Sequence, residues 1–319
     1  MRPGAEALLE AEMALSVVTP FAEPGVFRPG AGPGSGPGSG SAAGVAMDLD
    51  EIEAFYRRYG FVVLRDLLGE DLVGRLEREC AAAQAGVLGG ELPARHGSTQ
   101  YLDTRYLDDA ERAGGFVNYV EHIEELAPAV PETTGHPAVI AVVRRLIGDR
   151  AWLSGEDKTG VVYQDARPGR ESSYTRIGWH TDWQGMPSLD VWPGLAFTVH
   201  IDPTSPANGF LRLVPGSHLW ATPAPYRNVN GVRVPDDARP AGGYTDVAPP
   251  FEMPLGFERV PGEVVLYAER GDLLLHDGYL WHSAARATDD TAVRRHVRGS
   301  FFGGDESSYR RQFIKNAAR

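Results

Sequence analysis

Gly178-Trp-His-Thr-Asp-Trp-Gln-Gly185 sets a histidine and an aspartate two residues apart between two tryptophans. On a strand end, residues two apart project to the same side, so His180 and Asp182 could supply two metal ligands from one short piece of backbone. The pair alone decides nothing, because His122-Ile-Glu124 and His200-Ile-Asp202 repeat the pattern. Short motifs of this kind arise by chance, and the surrounding chain has to choose among them.

From Trp152 onward, short β-like runs recur around the motif: Gly160 to Gln164, Leu195 to Ile201, Phe210 to Val214, Glu263 to Tyr267, Asp272 to His276 and Val293 to Phe302. Turns rich in Gly, Pro, Asn and Asp separate them. Upstream, Ile52, Phe55 and Tyr56 recur at helical spacing behind a possible cap at Asp48 or Asp50, and Phe61 to Leu64 reads as a strand. Two further helical stripes follow, Leu72, Val73, Leu76 and Cys80, then Val139, Ile140, Val143, Leu146 and Ile147. Helices first and many short strands later predict one α+β domain whose larger C-terminal part is a sandwich or barrel, with the helices packed outside it.

Residues 24–46, PGVFRPGAGPGSGPGSGSAAGVA, are dominated by Gly, Pro, Ser and Ala and can bury little. The expected division is therefore a disordered extension over 1–46 and a single domain over 47–319, with Met47 a candidate true start. The net charge of -12 argues against a nucleic-acid surface, which needs clustered Lys and Arg. No stretch approaches the roughly 18 apolar residues of a membrane span, and no basic leader precedes the apolar patch near Ala14. A single cysteine, Cys80, rules out an intrachain disulfide and a thiolate metal cluster and fits a reducing cytoplasm. Lys158 and Lys315 are the only lysines among the basic residues, an Arg bias that points by association to a GC-rich bacterial genome.

Two histidines and one carboxylate on one face of a metal leave open positions, the arrangement of non-haem Fe(II) oxygenases. If His180 and Asp182 are two such ligands, the third comes from a distant strand, and Asp272-Leu-Leu-Leu-His276-Asp-Gly-Tyr-Leu-Trp-His282 offers both His276 and His282. Alternation along Val293 to Phe301 puts Arg294, His296, Arg298 and Ser300 on one face and Arg295, Val297, Gly299 and Phe301 on the other. The ionic face either lines a polar pocket inside a barrel or turns to solvent.

Asn208-Gly-Phe-Leu-Arg-Leu-Val-Pro-Gly-Ser-His218 resembles the N-G-x-L-x-x-x-P-G-S-H signature of the phytanoyl-CoA dioxygenase family of Fe(II)/2-oxoglutarate oxygenases, which includes the ectoine hydroxylases. It follows W-H-x-D and precedes Pro261-Gly-Glu, Gly271-Asp272 and the L-x-H-S of Leu280 to Ser283, in the family's order, over about residues 50 to 303. The resemblance implies a cupin-like double-stranded β-helix, or jelly roll, with flanking N-terminal helices. It implies iron held by His180, Asp182 and His282, with His276 a non-ligating neighbour. Arg294, twelve residues past His282, resembles the arginine that clamps the distal carboxylate of 2-oxoglutarate. Gln164 and Thr198 match positions beside the cosubstrate. No catalytic residue beyond the metal ligands is implied.

The same resemblance implies a dioxygenase that consumes O2 and 2-oxoglutarate, releases succinate and CO2, and hydroxylates or otherwise oxidises a C–H bond of a small or medium-sized metabolite. Asp182 is a carboxylate where halogenating relatives carry a small residue, which favours hydroxylation. Ala284 and Ala287 stand where relatives often carry Ser and Asn, and the aromatic, acidic segment that follows H-x-D in ectoine hydroxylases is not reproduced by Trp183 to Asp190, so ectoine is not assumed as substrate. Trp179 and Trp183, flanking the ligands, are candidate substrate walls, and Arg298 and Lys158 are candidate contacts to an anionic substrate. A strand-end lysine such as Lys158 is otherwise a solvated one. The expected state is a monomer or homodimer. The competing classes are a cupin-like hydrolase or isomerase, which needs no Arg294 clamp, and a jelly roll that binds metal without oxygenase activity.

Overall fold

The computed structural model describes residues 25–30, 47–98, 119–155, 159–165, 178–224, 227–229, 232–234, 240–254, 256–285, 287–289 and 292–317. Asp48 caps helix α1 (Leu49–Tyr59), its carboxylate accepting from the amides of Asp50 and Glu51, and Gly60 ends the helix in the left-handed region at φ 82°. Helices α2 (Glu70–Leu88) and α4 (Pro137–Ile147) follow the two apolar stripes read from the sequence, and a short helix α3 (Ala129–Thr134), which was not expected, lies between them. A last helix, α5 (Glu306–Ala317), carries no comparable stripe and was not expected.

The strands are β1 (Val26–Phe27), β2 (Phe61–Leu64), β3 (Gly97–Ser98), β4 (Tyr119–Glu121), β5 (Trp152–Leu153), β6 (Gly160–Asp165), β7 (Gly194–His200), β8 (Phe210–Leu213), β9 (Thr222–Pro223), β10 (Arg227–Val229), β11 (Val232–Val234), β12 (Ala241–Gly242), β13 (Val264–Leu266), β14 (Leu273–Asp277), β15 (His282–Ala285) and β16 (Val293–Phe302). A large sheet runs β1-β2-β14-β7-β16-β6-β4-β3, with β5 also on β16, and a small sheet runs β13-β8-β15. A bridge between His180 and His282 adds the Trp179–His180 segment to the small sheet's free edge. The two sheets face each other as the expected double-stranded β-helix.

The period-two pattern of the central strands sorts their side chains between the two faces. Leu195, Phe197 and Val199 of β7, Leu273 and Leu275 of β14, and Val297 and Phe301 of β16 join the helices in the main core. Arg295 also emerges on this outer side, where its guanidinium pairs with Asp202 and with Glu77 of α2. Ala196, Thr198, His200, Leu274, His276, Arg294, His296 and Arg298 line a cavity on the inner side instead. The ionic face of β16 therefore turns into the barrel and not to solvent.

The N-terminal boundary needs correction. Val26 and Phe27 are not disordered: they pair in parallel with Val63 and Leu64, and Phe27 is buried against the Phe55 ring. Two apolar residues with a sheet edge to join outweigh the Gly/Pro-rich composition around them, and the ordered chain thus begins upstream of Met47. The rest of 1–46 lies outside the described residues. Among the described residues no helix is long and apolar enough to cross a membrane.

Candidate metal centre

His180 and His282 face each other across a two-stranded bridge whose amides exchange hydrogen bonds with the opposite carbonyls, at 3.1 and 3.0 Å. Thr181 continues extended, and its hydroxyl and the Gln184 amide group close a capping box over the short turn Asp182–Gly185, which fixes Asp182 at its first position. His180 Nδ1 lies 2.8 Å from the carbonyl of Gly178, and His282 Nδ1 lies 2.9 Å from that of Leu280. Each carbonyl holds the proton on Nδ1 and leaves the Nε2 lone pair free for a metal. One donor atom from each of His180, Asp182 and His282 lies within 4.8 Å of the others.

The electrostatics suit the same task. Burial first, and then the neighbouring imidazole, pushes both His180 and His282 down to about 4, so both are neutral at physiological pH. Burial works to raise the Asp182 carboxyl, but the combined influence of His282, His276 and His180 outweighs it and holds the group below the ordinary range. The Asp182 side chain keeps 31% of its exposure, so the centre is open on that side. Two neutral imidazoles and a carboxylate with open positions fit Fe(II).

His276 packs its ring 4.3 Å from that of His282, but its Nδ1 contact, to the carbonyl of Asp277, is longer at 3.3 Å, and it stands outside the donor triad. From the centre a cavity of about 150 Å³ extends between the sheets, past Ala284 and Leu211 on one side and Thr198 and Leu274 on the other, to Arg294. Arg294 is 5% exposed, makes no ion pair with a described carboxylate, and has an Nε without a hydrogen-bond partner. Burial alone drops its guanidinium to about 10. A buried cation without a counter-charge is costly, and a ligand carboxylate in the cavity would relieve that cost.

Thr198 and Arg298 line this cavity. Gln164 stands directly opposite Arg294 in the β6–β16 ladder. Lys158 lies outside the described residues. Neither candidate tryptophan lines this cavity. Trp179 precedes His180, so alternation turns it to the other face, where it stacks under the Arg212 guanidinium at 4.7 Å and donates its indole N–H to the Glu258 carbonyl. Trp281 precedes His282 and is fully buried in the same apolar cluster. Trp183 is buried near Tyr279 and Gly242 and does not line the cavity either.

Of the two competing motifs, His122-Ile-Glu124 forms a half-buried turn beside β4 with Ile123 fully buried. His200 is no metal ligand, but it lines the cavity beside Arg294, while Asp202 pairs with Arg295. Pro215-Gly-Ser-His218 is a turn: Gly216 sits at φ 84°, and the Ser217 hydroxyl accepts the Trp281 amide at 2.8 Å.

Residues 56–297 match the family described as phytanoyl-CoA dioxygenase (PhyH). No curated protein matches the sequence. Among solved structures, EctD from S. alaskensis with 2-oxoglutarate and 5-hydroxyectoine is similar at 18% identity, over 88% of this chain and 84% of that chain, with a TM-score of 0.55. The epimerase SnoN in complex with Fe3+, alpha ketoglutarate and nogalamycin RO is 20% identical over 80% of this chain and 83% of its own, with a TM-score of 0.53. AviO1 from Streptomyces viridochromogenes Tue57 is 18% identical over 82% and 96%, with a TM-score of 0.50. At these identities the likeness is one of fold.

Proposed function

The chain belongs to the phytanoyl-CoA dioxygenase family and is an Fe(II)/2-oxoglutarate-dependent oxygenase, and from that premise we propose that His180, Asp182 and His282 hold the iron and Arg294 the distal carboxylate of 2-oxoglutarate. The observation that carries this assignment is that the donor triad shares one cavity with a buried arginine that has no counter-charge among the described residues. Bound iron and 2-oxoglutarate together supply the oxidising chemistry, with O2 consumed and succinate and CO2 released.

The chain's part is positional. The carbonyls of Gly178 and Leu280 orient the two imidazoles, and the open side at Asp182 admits substrate. Phe210, Leu211 and Leu274 make the cavity wall apolar and keep water from the reacting atoms. In this reading Thr198 and Gln164 add polar contacts to the cosubstrate. Arg298, which lines the cavity, contacts an anionic group of a small or medium-sized substrate, with Lys158 a second contact. A carboxylate at Asp182 fills the position that a halide would need, so hydroxylation is the proposed outcome. The site is complete within one chain, which suits a monomer or homodimer, and the lone buried thiol of Cys80 suits a reducing cytoplasm.

Succinate release, measured with Fe(II), 2-oxoglutarate and a panel of anionic metabolites, tests the proposal. Turnover that depends on substrate and is lost in Asp182→Ala is the expected result. Full succinate release by Arg294→Ala would refute the assignment of Arg294 to the distal carboxylate.

A further inference from the structure

The far end of the cavity holds more than one arginine. His296 follows Arg294 by two residues on β16 and so shares its face, and His200 stands directly opposite His296 in the β7–β16 ladder. Their ring centroids lie 5.9 Å apart, and all three side chains line the cavity. Each carries a buried nitrogen with no partner: Nδ1 of His200, Nδ1 of His296 and Nε of Arg294. An orphaned buried N–H costs more than an orphaned lone pair, so each imidazole is best protonated on Nε2.

We infer that His200 and His296 are cosubstrate-positioning residues, which together with Arg294 form a three-sided cradle of N–H donors for the distal carboxylate of 2-oxoglutarate. The inference rests on the reading that this cavity takes 2-oxoglutarate. A carboxylate offers about four acceptor sites, and a guanidinium fork fills two of them. The two imidazoles fill the others. The facing wall of Ala284, Leu211 and Phe210 has no side-chain donor to offer.

The charge also matches. Burial, and then the nearby Arg294, pushes His200 down to about 3 and His296 well below its ordinary value, so both stay neutral. The cradle thus carries the single positive charge of Arg294 against a single carboxylate. Gly209 closes the end: at φ 85°, its missing Cβ would lie 2.6 Å from the Ala285 carbonyl and 3.3 Å from Arg294 Nη1. Only glycine lets this turn come so near the guanidinium.

The test is an anaerobic titration of the Fe(II) protein, following the visible charge-transfer absorption that forms when a 2-oxo acid chelates the iron. Two ligands are compared: 2-oxoglutarate, and 2-oxopentanoate, which has the same chain length but no distal carboxylate. His200→Phe and His296→Phe are each expected to raise the Kd for 2-oxoglutarate about ten-fold, as loss of a hydrogen bond to a charged group does. The Kd for 2-oxopentanoate should change less than about two-fold, and His296→Gln should recover part of the loss for 2-oxoglutarate. An unchanged Kd for 2-oxoglutarate overturns the inference, and so does an equal loss for both ligands, which would mark general damage to the fold. Neither result touches the assignment of Arg294, whose Ala variant is measured alongside. A wild-type protein that binds iron yet gives no absorption with 2-oxoglutarate overturns both.

Discussion

Replacing Arg294 with leucine should make the ligand-free protein more stable while removing its response to 2-oxoglutarate. Burial lowers the guanidinium from its ordinary value to about 10, which corresponds to about 3 kcal/mol against the charged form in the folded state. Below pH 10 the arginine is protonated in both folded and unfolded chains, so the full penalty applies at neutral pH; it is relieved only as pH rises above about 10. Leucine is shorter and leaves some space unfilled, which returns roughly 1 kcal/mol. A net gain of about 1–2 kcal/mol raises Tm by roughly 2–6 °C in a domain of this size. Scanning fluorimetry of metal-free protein at pH 7.5 measures it. Anaerobic Fe(II) with 2-oxoglutarate at about 100 times Kd should then lift the wild type by about 2.7 kcal/mol and the variant far less, reversing their order. Two results refute the reasoning: a ligand-free variant that melts several degrees below wild type, which would mean that Arg294 has a structural partner, or equal gains for both proteins on adding 2-oxoglutarate.

The histidines make the ligand-free protein acid-labile. His180, His218 and His282 are pushed down to about 4 and His200 to about 3, each by burial first. The unfolded chain binds protons on them below about pH 6.5 while the folded one does not, so stability falls as pH drops from there towards 4, by about 1 kcal/mol per histidine at pH 5.5. Urea midpoints that stay flat between pH 7 and 5 would contradict this. Arg212 and Glu263 form a fully buried ion pair at 2.6 Å under Trp179, so Arg212→Met should cost about 3–5 kcal/mol by stranding the carboxylate, read by denaturation followed through tryptophan fluorescence. Gly209→Ala combines a positive φ with a clash at the Ala285 carbonyl; a loss above about 1 kcal/mol and a weaker Kd for 2-oxoglutarate are expected, and a neutral result in both would show that the turn is free to move.

Much of this was legible in the sequence because β-strands alternate. The two faces of β16 could be separated from the alternation of Arg294 to Phe301 alone, and Arg294, His296 and Arg298 do share the inner face. The same rule, applied to His180, already turns Trp179 to the opposite face of its strand, a direction that its place next to a ligand in the chain does not reveal. The choice between His276 and His282 was not legible from spacing. It depends on the cross-strand bridge that sets His180 against His282, a long-range pairing that neither segment encodes alone. The place of His200 opposite His296 depends on the register of β7 against β16, and register belongs to the pair of strands. Val26 and Phe27 were hidden by composition: two apolar residues in a Gly/Pro tract carry no periodicity, yet they find an edge strand to complete.

The distribution of polarity inside the barrel carries the functional argument further than any single residue. Where β2 and β14 face β8, the interior is an ordinary apolar core of Phe61, Val63, Leu213 and Leu274. Where β7 and β16 face β8 and β15, the same two sheets enclose His200, His296, Arg294 and Arg298. The fold does not require the second lining, since its first half is built without it. Neutralised imidazoles and an unpaired guanidinium lower the stability of the empty protein, and the apolar outer face beneath the helices must offset them. A ligand anion in the cavity would accept hydrogen bonds and charge from Arg294 and the two imidazoles. The polar half, which lies between the donor triad and Arg294, is thus the part of the interior that an anion bound next to a metal would use.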